Sequence, residues 1–99
     1  MIPGIITKIS EGLLAVTTTI APKTDLVRLN STTSTTVIVT IVPPFQGFSG
    51  MMIFTNESGG NITTLTTGNI KTAVTLGQNV AIAMVYSKVA DKWYVGALA

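Results

Sequence analysis

The chain has 99 residues, a net charge of +2, and 10% charged against 46% hydrophobic residues. It contains no cysteine and no histidine, which excludes a disulfide framework and any thiolate or imidazole metal site. The six basic residues (Lys8, Lys23, Arg28, Lys71, Lys88 and Lys92) are scattered singly, unlike the patch or stripe of a nucleic-acid binder, and no stretch reaches the roughly 20 apolar residues of a membrane helix.

Seventeen residues are threonine. Threonine is β-branched and suits the pleated surface of a strand. The scarcity of charge leaves two readings of the surface. Either hydroxyls and amides cover it, or part of it is buried against other chains, and the second is the expectation here.

Residues 1–15 differ from the rest and read as an N-terminal arm or a first strand, with residues 16–99 as a single β-domain. Pro3 and Gly4 oppose regular structure, and Ile2, Ile5, Ile6, Ile9 and Leu13 are the apolar positions offered for contact. The arm reading predicts that removing residues 1–14 leaves the fold intact and weakens attachment to a partner.

Val16–Ile20 and Asp25–Asn30 read as short strands. Thr35–Val42 is the strongest strand in the chain, with Val37, Val39 and Ile41 on one face and Ile38 and Val42 on the other. A strand apolar on both faces belongs at the centre of a sheet or at a subunit contact. Pro43-Pro44 ends it, because proline cannot donate to a ladder. Phe45 and Phe48 follow in a loop, as core plugs or as interface anchors.

Further strands are expected at Met51–Thr55, Asn61–Thr66, Thr72–Leu76, Val80–Ser87 and Lys92–Ala97. Val80, Ile82, Met84 and Tyr86 should share one face, and Tyr86 should pair with Trp93 across the last turn. About eight short strands with turn signals every 8–12 residues predict an all-β fold, a compact antiparallel sandwich or barrel.

Chemistry-bearing constellations are scarce. The four carboxylates (Glu11, Asp25, Glu57, Asp91) lie far apart in sequence, and the hydroxyls lack an evident base. No catalytic residue, metal site or cofactor is assigned. Asp25 and Asp91 read as turn residues. Three N-x-S/T triplets begin at Asn30, Asn56 and Asn61, and in so Thr-rich a chain they read as chance.

The stretch Val80–Val95, an apolar strand ending Val-Tyr, a polar turn and then Lys-Trp-Tyr, resembles the terminal hairpin of small β-domains in tailed-bacteriophage virion proteins. Thr35–Val42, Pro43-Pro44-Phe45, Gly47-Phe48 and Asn61-Ile-Thr-Thr64 resemble the β-rich domains of head-decoration, head-fibre and tail proteins. The likeness spans residues 25–97. It departs at Ser87–Asp91, where such domains often carry a tighter Asp-Gly turn.

The resemblance implies a non-enzymatic virion structural protein. A Met-initiated chain of this length looks like a whole gene product, and so most like a capsid decoration (cement) protein. Such proteins commonly form homotrimers that clamp neighbouring subunits of the major capsid protein. The expected partners are therefore the major capsid protein and further copies of the chain, with no nucleic acid and no membrane, and the expected place is the capsid surface. The alternative is a receptor- or glycan-binding module of a tail or fibre.

Overall fold

A computed structural model describes residues 10–31 and 37–95. Ile2, Ile5, Ile6 and Ile9 lie outside the described residues. The described chain is all β, in ten short strands. They are β1 (Glu11–Ala15), β2 (Thr19–Ile20), β3 (Leu26–Asn30), β4 (Val37–Ile38), β5 (Thr40–Ile41), β6 (Gly50–Asn56), β7 (Ile62–Thr64), β8 (Thr75–Leu76), β9 (Ala81–Ser87) and β10 (Lys92–Val95).

A five-stranded sheet runs in the order β1-β3-β6-β9-β10. Facing it lie a pair, β2-β5, and a triplet, β4-β7-β8. Because β4 and β5 are separated by Val39 alone, the two small sheets form one kinked layer. The result is a sandwich and not a closed barrel.

The antiparallel expectation holds only for the C-terminal pairs β6-β9, β9-β10 and β7-β8. The pairs β1-β3, β3-β6, β2-β5 and β4-β7 are parallel. The cause is the path of the chain. After each of β1 and β3 the backbone crosses to the opposite layer, and it returns in the original direction. No hairpin can form on such a path, and the first part of the chain is wound like a short coil.

Of the predicted strand Thr35–Val42, Thr35 and Thr36 lie outside the described residues, and the remainder is broken into β4 and β5. The backbone N–H groups of Val39 and Thr40 both donate to the Thr18 carbonyl, at 2.8 and 3.0 Å. Two residues opposing one is a bulge. It resets the alternation, so Ile38 and Ile41 both point into the core while Val42 is 40% exposed. The predicted two apolar faces therefore collapse into one. Neither piece is the central strand of a sheet: β5 forms half of the pair with β2, and β4 ends the triplet beside β7.

The core lies between the layers. Val27 and Leu29 from β3, Met52 and Phe54 from β6, Met84 and Tyr86 from β9 and Trp93 from β10 meet Ile20, Ile38, Ile41, Ile62 and Leu76. Val16 and Ile70 fill in from the connections. In β9 the predicted face is inward at Met84 and Tyr86, with Ile82 half-buried, while Val80 stays exposed just before the strand.

Candidate interaction surface

The loop after β5 is built by its own sequence. Pro43 and Pro44 end pairing, and Phe48 N–H donates to the Phe45 carbonyl at 3.2 Å. Gly47 closes this turn at φ +87°, a conformation that glycine reaches without a Cβ penalty. Two neighbours hold the loop. Lys23 Nζ donates to the Pro44 carbonyl at 3.1 Å, and Lys88 N–H donates to Ser49 Oγ at 2.9 Å.

An aromatic ladder connects this loop to the core. Phe45 is 64% exposed and meets the Phe48 ring edge-on at 5.3 Å. Phe48 stacks on Tyr86 at 6.1 Å and lies 6.2 Å from Trp93. Tyr86 and Trp93 are directly opposed in the hairpin, as the sequence predicts, with ring centroids 5.1 Å apart. Trp93 is fully buried, and its indole N–H donates to the Ile41 carbonyl at 2.9 Å. Phe48 thus seals the core beneath the loop, while Phe45 presents its ring to solvent.

Around Phe45 lies an open groove of about 490 Å³, bordered by Lys23, Pro44, Phe48, Tyr86, Lys88 and Asp91. Tyr86 OH donates to Asp91 Oδ1. That bond, with burial, holds the phenol pKa above its ordinary value, because both favour the protonated form. Asp91 reaches the phenol from a left-handed backbone, φ 55°, at the end of the hairpin turn.

The second exposed feature is the outer face of the five-stranded sheet. Tyr94, Val85 and Met51 stand opposite one another across β10, β9 and β6. All three are exposed, Met51 by 58%. Half-buried Ile53 and Leu26 continue the apolar face toward β1, where Leu13 is 58% exposed. One ion pair marks this face: Arg28 Nε donates to Glu57 Oε2 at 2.7 Å, and a terminal guanidinium nitrogen donates to Oε1 at 3.0 Å. This hydrogen bond raises the Arg28 pKa and lowers that of Glu57.

Of the residues that the sequence offers for contact, Leu13 lies on β1, while Phe45 and Phe48 lie on the loop. Lys23 borders both the loop groove and a smaller cleft beside Leu13, so these features share one end of the sandwich. Sequence reasoning missed Met51, Val85 and Tyr94 as a surface. Their alternation with buried neighbours was the available signal.

Three of the four carboxylates are engaged: Asp25 by Ser10, Glu57 by Arg28, and Asp91 by Tyr86. No cluster of three His, Cys, Asp or Glu that could hold a metal occurs among the described residues. No helix among them is long and apolar enough to cross a membrane. Asn56 is fully buried, and its amide nitrogen donates to the Gly60 and Leu76 carbonyls, so this triplet serves the fold and offers no free amide for a glycan. Comparison with family models, curated proteins and solved structures finds no match to the chain.

Proposed function

We propose that this chain is a non-enzymatic structural protein that acts by covering, and being covered by, other protein surfaces. The observation that carries the reading is the exposed apolar row Tyr94–Val85–Met51 on a chain with 10% charged residues. Isolated apolar residues are ordinary on a surface; a contiguous row on one sheet face marks an interaction site. Within this reading, the resemblance to phage virion domains specifies the role. The protein decorates a bacteriophage capsid as a homotrimer and clamps neighbouring subunits of the major capsid protein.

The test is the solution mass of the full chain by light scattering over a concentration series, followed by sedimentation with assembled capsid shells. A stable trimer that co-sediments with shells is expected. A single chain at all concentrations that leaves the shells bare overturns the proposal. Met51→Lys should abolish shell binding and leave the folded spectrum unchanged.

The loop groove favours a second reading, a receptor- or glycan-binding module. Exposed Phe45 beside Lys88 offers an apolar ring flanked by a donor, the pairing that sugar recognition uses. Glycan-array binding that Phe45→Ala removes, with no binding to shells, selects this alternative.

A further inference from the structure

The sandwich has four outer sheet edges, and it treats one of them differently. Along β10, the segment Asn69–Lys71 forms a strap: Trp93 N–H donates to the Asn69 carbonyl, and Lys71 N–H to the Trp93 carbonyl, both at 2.8 Å. β8 is two residues long, and since Val74 and Leu76 turn toward β7, only Thr75 faces outward. On β2, the Thr19 carbonyl is taken by the Thr17 hydroxyl at 2.6 Å. Among the described residues, no strand or side chain is seen to cover the outer edge of β1.

That edge is fit for pairing. Ser10 O accepts from Leu26 N–H, and Val16 N–H donates to the Asn30 carbonyl, so the even-numbered residues turn toward β3. Strand alternation then turns the N–H and C=O groups of Glu11, Leu13 and Ala15 outward. The strand Glu-Gly-Leu-Leu-Ala carries no proline or lysine, the usual devices that blunt an edge. Beside it, Leu13, Leu14, Pro22 and Val27 line a cleft of about 150 Å³, room for an aliphatic side chain.

We infer that β1 receives residues 1–9 of a second copy as an added strand, which makes this end of the coil the self-association surface. The inference rests on the assembly reading above and names its contact. Ile5-Ile6-Thr7 has the β-branched chemistry of a strand. The only side-chain charge in the segment, Lys8, complements Glu11, the only one on β1.

The chain's own segment is poorly suited to this edge. Ser10 is fixed by Asp25, whose carboxylate accepts from both Ser10 N–H and Oγ, so the backbone already enters β1 in line. Turning back onto β1 requires a reversal between Ile5 and Ile9. That stretch holds no glycine, proline, asparagine or aspartate to make it. Donation to a neighbour needs no reversal. An arm-to-edge contact is heterologous, and it closes into a ring when the rotation allows, as a trimer requires.

The chain lacks cysteine, so introduced thiols are unambiguous. Full-length chains carrying Ile6→Cys are mixed with full-length chains carrying Ala15→Cys and treated with a bismaleimide. The expected product is a two-chain species in which the thiol at position 6 of one copy is joined to the thiol at position 15 of the other, identified by peptide mass. Adding Leu13→Pro, which removes an outward N–H and spares the β3 ladder, should abolish that product and reduce the light-scattering mass to one chain. Leu13→Lys provides the same check without a backbone change.

A link between positions 6 and 15 that forms only within a doubly substituted single copy overturns the inference, because the segment then folds back. A multimer whose mass and cross-link survive both Leu13 variants also overturns it, and leaves the assembly reading standing. A single-chain mass for the unsubstituted protein overturns the inference, and overturns the assembly reading with it only when the shells are also left bare.

Discussion

The two ends of the winding are built on opposite principles. At the C-terminal end the large sheet closes with an antiparallel hairpin, and β10 is strapped by Asn69–Lys71. The strap is itself anchored: the Asn69 side chain accepts from Ile41 N–H at 2.9 Å and donates to the Ile41 carbonyl at 2.7 Å. Trp93 Nε1 reaches the same carbonyl. At the N-terminal end, β1 holds the sheet by one parallel ladder and by half-buried Leu14. Stacked parallel units need a cap where stacking stops. The difference teaches that stability is concentrated where the stack is capped; at the other end no cap is seen among the described residues, and that is the edge assigned above to a second copy.

Breaking the capped end should have the largest effect. Trp93→Ala removes the most buried ring and one of the two donors to the Ile41 carbonyl, at a cost of about 3–5 kcal/mol in urea unfolding. Asn69→Ala leaves both Ile41 backbone groups without this partner and should cost about 1–3 kcal/mol. Gly68→Ala tests the same corner by crowding. A Cβ there falls 2.3 Å from the Val39 carbonyl oxygen, so the bulge must move, again at about 1–3 kcal/mol. At the open end, Leu13→Ala, compared with the unsubstituted protein at a concentration where both are single chains, should change unfolding by no more than about 0.5 kcal/mol, the range of surface substitutions. An equal loss at both ends would refute the contrast.

Tyr86→Phe gives a smaller effect with a pH signature. The raised phenol pKa means that its contribution is fully present below the ordinary tyrosine range and is lost as pH rises through the folded-state value. The variant should lose about 1 kcal/mol at neutral pH and show a flatter decline under alkali, measured by urea midpoints across pH.

Much of this capped end was legible in the sequence. Large residues alternating with small ones gave β9, and the aromatic pair on either side of a short turn gave the hairpin. The winding was not legible. Leu26 lies opposite Glu11 after 15 residues, and Ile53 opposite Leu26 after 27, so the coil has no fixed period to detect. The bulge at Val39 was also hidden, because it depends on Thr18 and on room made by Gly68. Gly68-Asn69 and Asn56 have the composition of turns, yet Asn69 and Asn56 are internal clasps whose partners lie 28 and 20 residues away. The boundary of the N-terminal contact also shifts. A cut at residue 14 strips most of β1, so the deletion that separates folding from attachment ends before Ser10.

The Arg28–Glu57 pair lies between the two ends and sharpens the contrast by its indifference to both. It joins β3 to the residue just after β6, in the middle of the parallel ladder. The lowered Glu57 pKa makes its contribution present above the ordinary glutamate range and lost as pH falls through the folded-state value. Arg28 stays charged throughout, since its pKa moves up, so no alkaline counterpart follows from this pair. Both side chains are well exposed, and salt should weaken the interaction. Glu57→Gln should therefore flatten only the acid limb of the stability profile, by a small amount that vanishes in high salt. It should leave the solution mass and the cross-link between positions 6 and 15 unchanged. A change in mass would place this ion pair inside the assembly contact and move the association surface from the edge of β1 to the face of the sheet.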